Sequence, residues 1–263
     1  MMRPDVGIAV ETDSPELHAK AEALRASLHL PAATVDDTSY PLLLVVTPRR
    51  LELRETGKGR VGPVYADFVG GRVGYRVRTA SAGRAMLAKA VGFKGGPLSV
   101  CDATAGLGRD AFLLACMGCA VTAVERSPVI AALLQDGLDR AAVHPKLAHI
   151  VRERLRPVVA DAREFLPRLA GRDRPDVVYI DPMFPQAGRT ALAAKDMQLC
   201  RKVAGDDPDA AELLAAARPI ARLRVVVKRS LRAPALAADP SIVYRGTTIR
   251  YDVYLPTRIP SSG

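Results

Sequence analysis

The sequence is poor in cysteine: Cys101, Cys116, Cys119 and Cys200 are all it has in 263 residues. Four thiols are too few for a disulfide framework in a chain this long, and with no secretory leader ahead of them the cytoplasm is the expected compartment. A zinc-binding set is missing too. Cys116 and Cys119 form one C-x-x-C, but it falls in an apolar helical stretch with no second Cys or His pair at zinc spacing, so both read as buried helix thiols. Histidine is equally sparse, and His18, His29, His144 and His149 stand apart from any nucleophile or ligand set, so neither a metal site nor a histidine catalyst is expected. Apolar runs stay short of the ~20 residues that a membrane span needs, which excludes a transmembrane segment.

Hydrophobic residues make up 49% of the chain and charged residues 25%, the profile of a folded, water-soluble protein rather than a disordered one. The 38 Lys and Arg against 28 Asp and Glu leave a net charge of +10. Such a balance favours polyanions, nucleic acid first, although an Ala- and Arg-rich composition also follows from a GC-rich genome.

Strands at Val6–Val10 and Leu42–Val46 with a helix from Ser14 to Leu28 predict a small N-terminal α/β unit, residues 1–78, ending in hairpin strands within Leu51–Arg78 such as the alternating run Val64–Val69. A helix at Gly83–Gly92 and a turn at Gly95-Gly96-Pro97 lead into a main domain, residues 79–263. From there strands and helices alternate: Leu98–Ala103, helix Asp110–Met117, Ala120–Val124, helix Pro128–Ala141, Pro157–Ala160, helix Ala162–Leu169 and Val177–Ile180. Helical segments through Ala221 precede Val225–Lys228 and a closing pair, Ile242–Arg245 and Arg250–Leu255. This order implies an α/β fold with a parallel sheet covered on both faces and an antiparallel closing pair.

The first strand of that domain ends in Asp102-Ala103-Thr104-Ala105-Gly106-Leu107-Gly108-Arg109-Asp110 and enters a helix. It is no phosphate loop, since G-x-x-x-x-G-K-[ST] is absent, and its spacing also departs from G-x-G-x-x-G. Gly106 and Gly108 permit the tight turn and the close approach of a ligand across the carboxyl end of the sheet. Acidic residues follow successive strands: Asp102, Glu125, Asp161 and Asp181. Glu125 suits both hydroxyls of a ribose, Asp161 an adenine amine, and Asp102 or the Gly backbone an amino acid's ammonium. Together these describe S-adenosylmethionine. Taken singly, Asp110 or Asp161 would read as a helix N-cap.

Asp181 opens Asp181-Pro182-Met183-Phe184-Pro185 directly after a buried strand. Amino-group methyltransferases carry a similar Asp/Asn-Pro-Pro-aromatic motif at this strand end. An exocyclic base amine is a poor nucleophile. Asp181 and the Pro182 carbonyl can accept its two N–H bonds and turn its lone pair towards a methylsulfonium, while Phe184 stacks on the flipped base. No cysteine stands where the covalent carbon-5 pyrimidine route would need one.

Together, Asp102–Phe112 (DATAGLGRDAF), Glu125-Arg126 followed by Pro128, Asp181–Pro185 (DPMFP), Val225–Arg229 (VVVKR) and Asp67–Gly71 (DFVGG) resemble the small-subunit ribosomal RNA methyltransferase J family. That resemblance implies a Rossmann-like, seven-stranded, mostly parallel methyltransferase sheet with an antiparallel last strand. It implies S-adenosylmethionine as cofactor, no metal, N2-methylguanosine as product, and 16S rRNA or the 30S subunit as partner. It puts cofactor contacts on Arg109, Asp110, Glu125, Arg126, Asp161, Ala162 and Asp181, and makes Met183 normal for the group. Tyr75–Arg78 and Ser81–Arg84 match the family's basic, Gly-rich run only in part. Lys228 and Arg229 read either as phosphate contacts or as ordinary exposed cations at a strand end. Rival functions are a DNA adenine or protein glutamine methyltransferase, and a non-catalytic RNA-binding protein on the same fold.

Overall fold

A computed structural model describes residues 5–57, 62–70, 82–182, 191–205 and 209–257. Tyr75–Arg78, Ser81, Met183, Phe184 and Pro185 lie outside the described residues.

The chain starts with β1 (Val6–Val10), α1 (Pro15–Leu28), β2 (Leu42–Val46) and β3 (Leu51–Glu55). β1 pairs parallel with β2, β2 antiparallel with β3, and the order is β1-β2-β3. All five residues of β2 are buried, as an uninterrupted Leu-Val run at the centre of a sheet requires. Hairpin strands were expected within Leu51–Arg78, and β3 falls there, but Val64–Val69 is not a strand. Val64 makes a single bridge to Leu53, after which Asp67 Oδ1 accepts from the Val69 and Gly70 amides and closes a turn. Ala66 and Phe68 are buried instead.

The second part comprises α2 (Ala82–Val91), β4 (Ser99–Asp102), α3 (Arg109–Met117), β5 (Ala120–Glu125), α4 (Pro128–Ala142), α5 (Ala148–Arg154), β6 (Leu155–Val159) and α6 (Ala162–Phe165). β7 (Val177–Ile180), α7 (Ala191–Ala204), α8 (Ala210–Ala217), β8 (Arg224–Ser230), β9 (Ile242–Arg245) and β10 (Ile249–Tyr254) complete it. The seven strands run β6-β5-β4-β7-β8-β10-β9, with β10 antiparallel to both its neighbours. This is the expected Rossmann-like sheet. Strand order reverses between β4 and β7, so the loops after them part and leave a crevice at their carboxyl ends.

Side chains alternate across this sheet. Val100, Val177, Tyr179 and Val226 face one core with Phe112, Ile130 and Leu134, while Cys101, Val178, Ile180 and Val227 face a second with Leu213, Leu214 and Ala217. The first core is continuous with the N-terminal sheet through Leu44, Leu53 and Phe68. Phe68 stacks on Phe112 with ring centroids 4.6 Å apart, and a Cβ on Gly137 would stand 2.6 Å from that of Ala66. Fully burying each ring contributes roughly 1.5–3 kcal/mol. Asp136 on α4 accepts from Lys20 on α1 and from the Leu51 amide of β3.

Several expected boundaries move. α5 was not expected, because a seven-residue helix burying only Ile150 and Val151 leaves almost no periodic signal. α6 gives way to a 3-10 turn at Leu166, where Pro167 cannot continue the ladder, so the expected helix to Leu169 is cut short. α3 stops at Gly118 (φ 114°), which leaves Cys119 buried just beyond the helix and Cys116 half-buried at its end. Among the described residues no helix is long and apolar enough to cross a membrane.

Candidate active site

Asp102 and Glu125 are the last residues of adjacent parallel strands β4 and β5, Asp161 follows β6 by two residues, and Asp181 follows β7 directly. Four neighbouring strands thus deliver carboxylates to one end of the sheet. Their surroundings differ sharply.

Glu125 is buried, and each of its oxygens accepts a backbone amide at 2.8 Å: Gly106 on Oε2 and Ser127 on Oε1. It therefore braces the β4–α3 turn from the next strand. Ser127 caps α4 in turn, through Oγ to the Ile130 amide. Gly106 has φ 53° and open space where its Cβ would sit. Gly108, at φ 73°, is different: a Cβ there would meet Leu134 Cδ1 at 2.4 Å, so the protein's own packing already favours a glycine at this position.

A crevice opens over this turn. Gly106, Glu125, Arg126, Asp161, Ala162 and Pro182 line it, six of the residues expected from the sequence. Thr104, Arg163, Asp209 and Leu213 line it as well and were not anticipated. Asp161 both caps α6, accepting the Arg163 amide at 2.9 Å, and faces the crevice. The two readings of this residue are compatible. The Arg163 guanidinium donates to Asp161 and holds its carboxyl below the usual range, while Arg126 and Arg163 bridge to Asp209 at 3.0 and 3.1 Å. These ion pairs form a rim whose members lie far apart in sequence, so no local pattern announces it.

Asp102 lies beneath the turn, only 2% exposed, with Oδ1 accepting the Thr104 amide at 3.2 Å. Burial, reinforced by the charge of Asp110, pushes its carboxyl well above the ordinary range. Asp102 thus supports the turn from below. Arg109 is exposed at the start of α3, and Asp110 beside it points into the protein, where it accepts Tyr179 Oη at 2.7 Å and Lys228 Nζ at 2.5 Å.

Asp181 is held at two points. Its amide donates to Thr104 Oγ1 at 2.7 Å, and its Oδ2 accepts Lys228 Nζ at 2.8 Å. The reading of Lys228 and Arg229 as exposed or phosphate-binding cations is corrected here. Lys228 turns inward to Asp110 and Asp181, and Arg229 is 4% exposed with its guanidinium on the Pro234 carbonyl.

The chain is similar to known proteins over nearly its whole length. The SAM-dependent methyltransferase family matches residues 24–256. A ribosomal RNA small subunit methyltransferase J from Thioalkalivibrio sulfidiphilus is 47% identical over 95% of this chain and 98% of its own. One from Aeromonas salmonicida is 46% identical over 92% and 95%. The chain belongs to the ribosomal RNA small subunit methyltransferase J family. A solved SAM-dependent methyltransferase from Neisseria gonorrhoeae superposes with a TM-score of 0.74 at 32% identity, covering 95% of this chain and 96% of that one.

As a member of that family this methyltransferase takes S-adenosylmethionine, and its crevice fits the group chemically. The open volume over Gly106 admits a ligand against backbone, Glu125 offers carboxylate oxygens at the end of β5, and Ala162 and Leu213 give the apolar walls an adenine needs. Among the described residues no group of three or more His, Cys, Asp or Glu stands where it could hold a metal ion.

Proposed function

We propose that this enzyme methylates the exocyclic N2 of a guanine in 16S rRNA, presented as free RNA or within the 30S subunit. The observation that carries this reading is Asp181-Pro182 at the end of β7, with Asp181 fixed through both its amide and its carboxylate and Pro182 lining the crevice. The relatives named as ribosomal RNA small subunit methyltransferases supply the substrate class, and the net charge of +10 suits it.

S-adenosylmethionine supplies a methyl carbon made electrophilic by the sulfonium. In this reading Glu125 accepts from the ribose hydroxyls, Asp161 and the Ala162 backbone recognise the adenine, and the Gly106 turn receives the amino-acid end. Gly108, Asp102 and Arg109 shape that turn, and Arg126 closes the rim. Asp181 and the Pro182 carbonyl accept the two N–H bonds of the guanine amine, so its lone pair faces the methyl carbon, and Phe184 stacks on the base. On transfer the N–C bond would form as the C–S bond breaks, with its electron pair left on sulfur, and the methylated amine would pass one proton to solvent water. Positioning and local charge supply the rate, with no covalent enzyme intermediate. Residues 1–78 act as a small unit against the catalytic domain, residues 79–263, and the protein works in the cytoplasm.

Asp181→Ala tests the mechanism. Loss of the acceptor that aligns the amine is expected to lower kcat at least about a hundredfold, with the fold retained. Turnover near wild type would refute the assignment.

A further inference from the structure

We infer that Lys228 is a positioning residue of the reaction, a cationic strut between Asp110 and Asp181 that fixes the carboxylate meant for the target amine. The inference rests on the role proposed above for Asp181. It starts from the sheet. Val227 of β8 stands opposite Ile180 of β7, so Lys228 comes level with Asp181, while α3 brings Asp110 over from the β4 side. Nζ lies 2.5 Å from Asp110 Oδ2 and 2.8 Å from Asp181 Oδ2. Asp110 is anchored in turn by the Tyr179 hydroxyl at 2.7 Å, and Tyr179 is fully buried in the centre of the sheet.

Carboxylates are the partners of Lys228 Nζ. This ammonium bridges two, one on a helix start and one on the motif that follows β7, and it does so where its side chain is mostly shielded from water. Among the described residues, the titratable groups around Asp181 include Asp102 from β4, Asp110 from α3, Tyr179 from β7, Lys228 and Arg229 from β8, and Tyr251 from β10. Without Lys228, Asp110 and Asp181 would be left close together without the ammonium that they share, and like charges so close resist being ionised together. A protonated Asp181 loses acceptor capacity towards the amine. Burial alone would lower the Lys228 ammonium, but Asp110 and Asp181 outweigh it and keep the lysine charged well above its usual range.

The test compares Lys228→Met, Lys228→Arg and Tyr179→Phe with wild type and Asp181→Ala, using 30S subunits as substrate and S-adenosylmethionine binding by calorimetry as a separate readout. Lys228→Met should lower kcat at neutral pH about ten- to a hundredfold, change the cofactor Kd less than about threefold, and shift the acid limb of the pH–rate profile upward by at least about one unit. Lys228→Arg should restore part of kcat and the limb. Tyr179→Phe keeps every charge, folds on a preserved ring, and should give a smaller shift in the same direction. If Lys228→Met does not fold, the Arg and Phe variants decide the matter alone. An unchanged kcat and acid limb in Lys228→Met, or in both of the other two, would overturn the inference. An inactive Asp181→Ala alongside would leave the proposed function standing, whereas an active one would remove both.

Discussion

Asp136 is the sharpest place to perturb the seam between the N-terminal sheet and the catalytic sheet. Its carboxylate sits on α4 and takes Lys20 Nζ at 2.7 Å, the Leu51 amide at 3.0 Å and Arg140 Nε at 3.0 Å, three donors from three elements. Arg140 also donates to the Ala66 carbonyl. Replacing Asp136 by Ala strands these donors unequally. The Lys20 side chain is 46% exposed and Arg140 26%, so water screens most of what they lose, about 0.5–1 kcal/mol together. The Leu51 amide belongs to a residue 1% exposed and has no such recourse, which costs about 1–3 kcal/mol. The sum is about 1.5–4 kcal/mol, or roughly 3–16 °C in Tm for a chain of this size. Urea unfolding followed by circular dichroism measures it. Asp136→Asn keeps an acceptor for Leu51 and should lose less than half as much. The pH dependence has a definite sign. Burial would raise the Asp136 carboxyl, but donation from Lys20 and Leu51 outweighs it and holds it below its usual value. Its stabilisation is therefore complete above the unfolded-state value near 4 and fades as pH falls through the depressed folded value, so wild type and Asp136→Ala converge in strong acid. A loss under about 0.5 kcal/mol at pH 7 would refute this account of the seam, since even the buried amide alone should cost more.

The two glycines of the β4–α3 turn should separate by phenotype. Gly108→Ala adds a Cβ 2.4 Å from Leu134 Cδ1 at φ 73° and is expected to cost about 2–4 kcal/mol of stability. Gly106→Ala meets open space at φ 53° and should cost only about 1–2 kcal/mol while weakening S-adenosylmethionine binding at least about tenfold, as calorimetry would register. Equal effects of the two would contradict the division drawn here. Glu125→Gln replaces a carboxylate that accepts two backbone amides with a group holding one acceptor, so cofactor Kd should rise about tenfold or more with a lower melt. Burial pushes the Cys116 and Cys119 thiols up to about 11, so iodoacetamide at pH 7.5 should leave both largely unmodified until denaturant is added, and rapid labelling of the native protein would contradict their packing.

Much of the alternation of strands and helices after Pro97 was readable because several strands are short Val-rich runs and some helices have a clear cap or glycine stop, as with Ser127 before α4 and Gly118 after α3. Glu125, Asp161 and Pro182 were legible for the same reason: the ends of parallel strands converge whatever their distance in sequence. Other features needed three dimensions. Asp209 reaches Arg126 from 83 residues away, which no spacing rule encodes. Lys228 read as an exposed cation because a strand-end lysine looks the same whether it faces water or two carboxylates. Val64–Val69 alternates like a strand, yet Asp67 closes a turn with its own downstream amides. Gly108 looked like a ligand contact, and only the position of Leu134 reveals it as a packing constraint.

The central claim is tested most directly by supplying methyl-labelled S-adenosylmethionine with unmodified 16S rRNA and, separately, with 30S subunits, then digesting to nucleosides. The account predicts label in N2-methylguanosine at a single site, absent with Asp181→Ala. Label in N6-methyladenosine or on ribosomal protein, or none with either substrate, would contradict it.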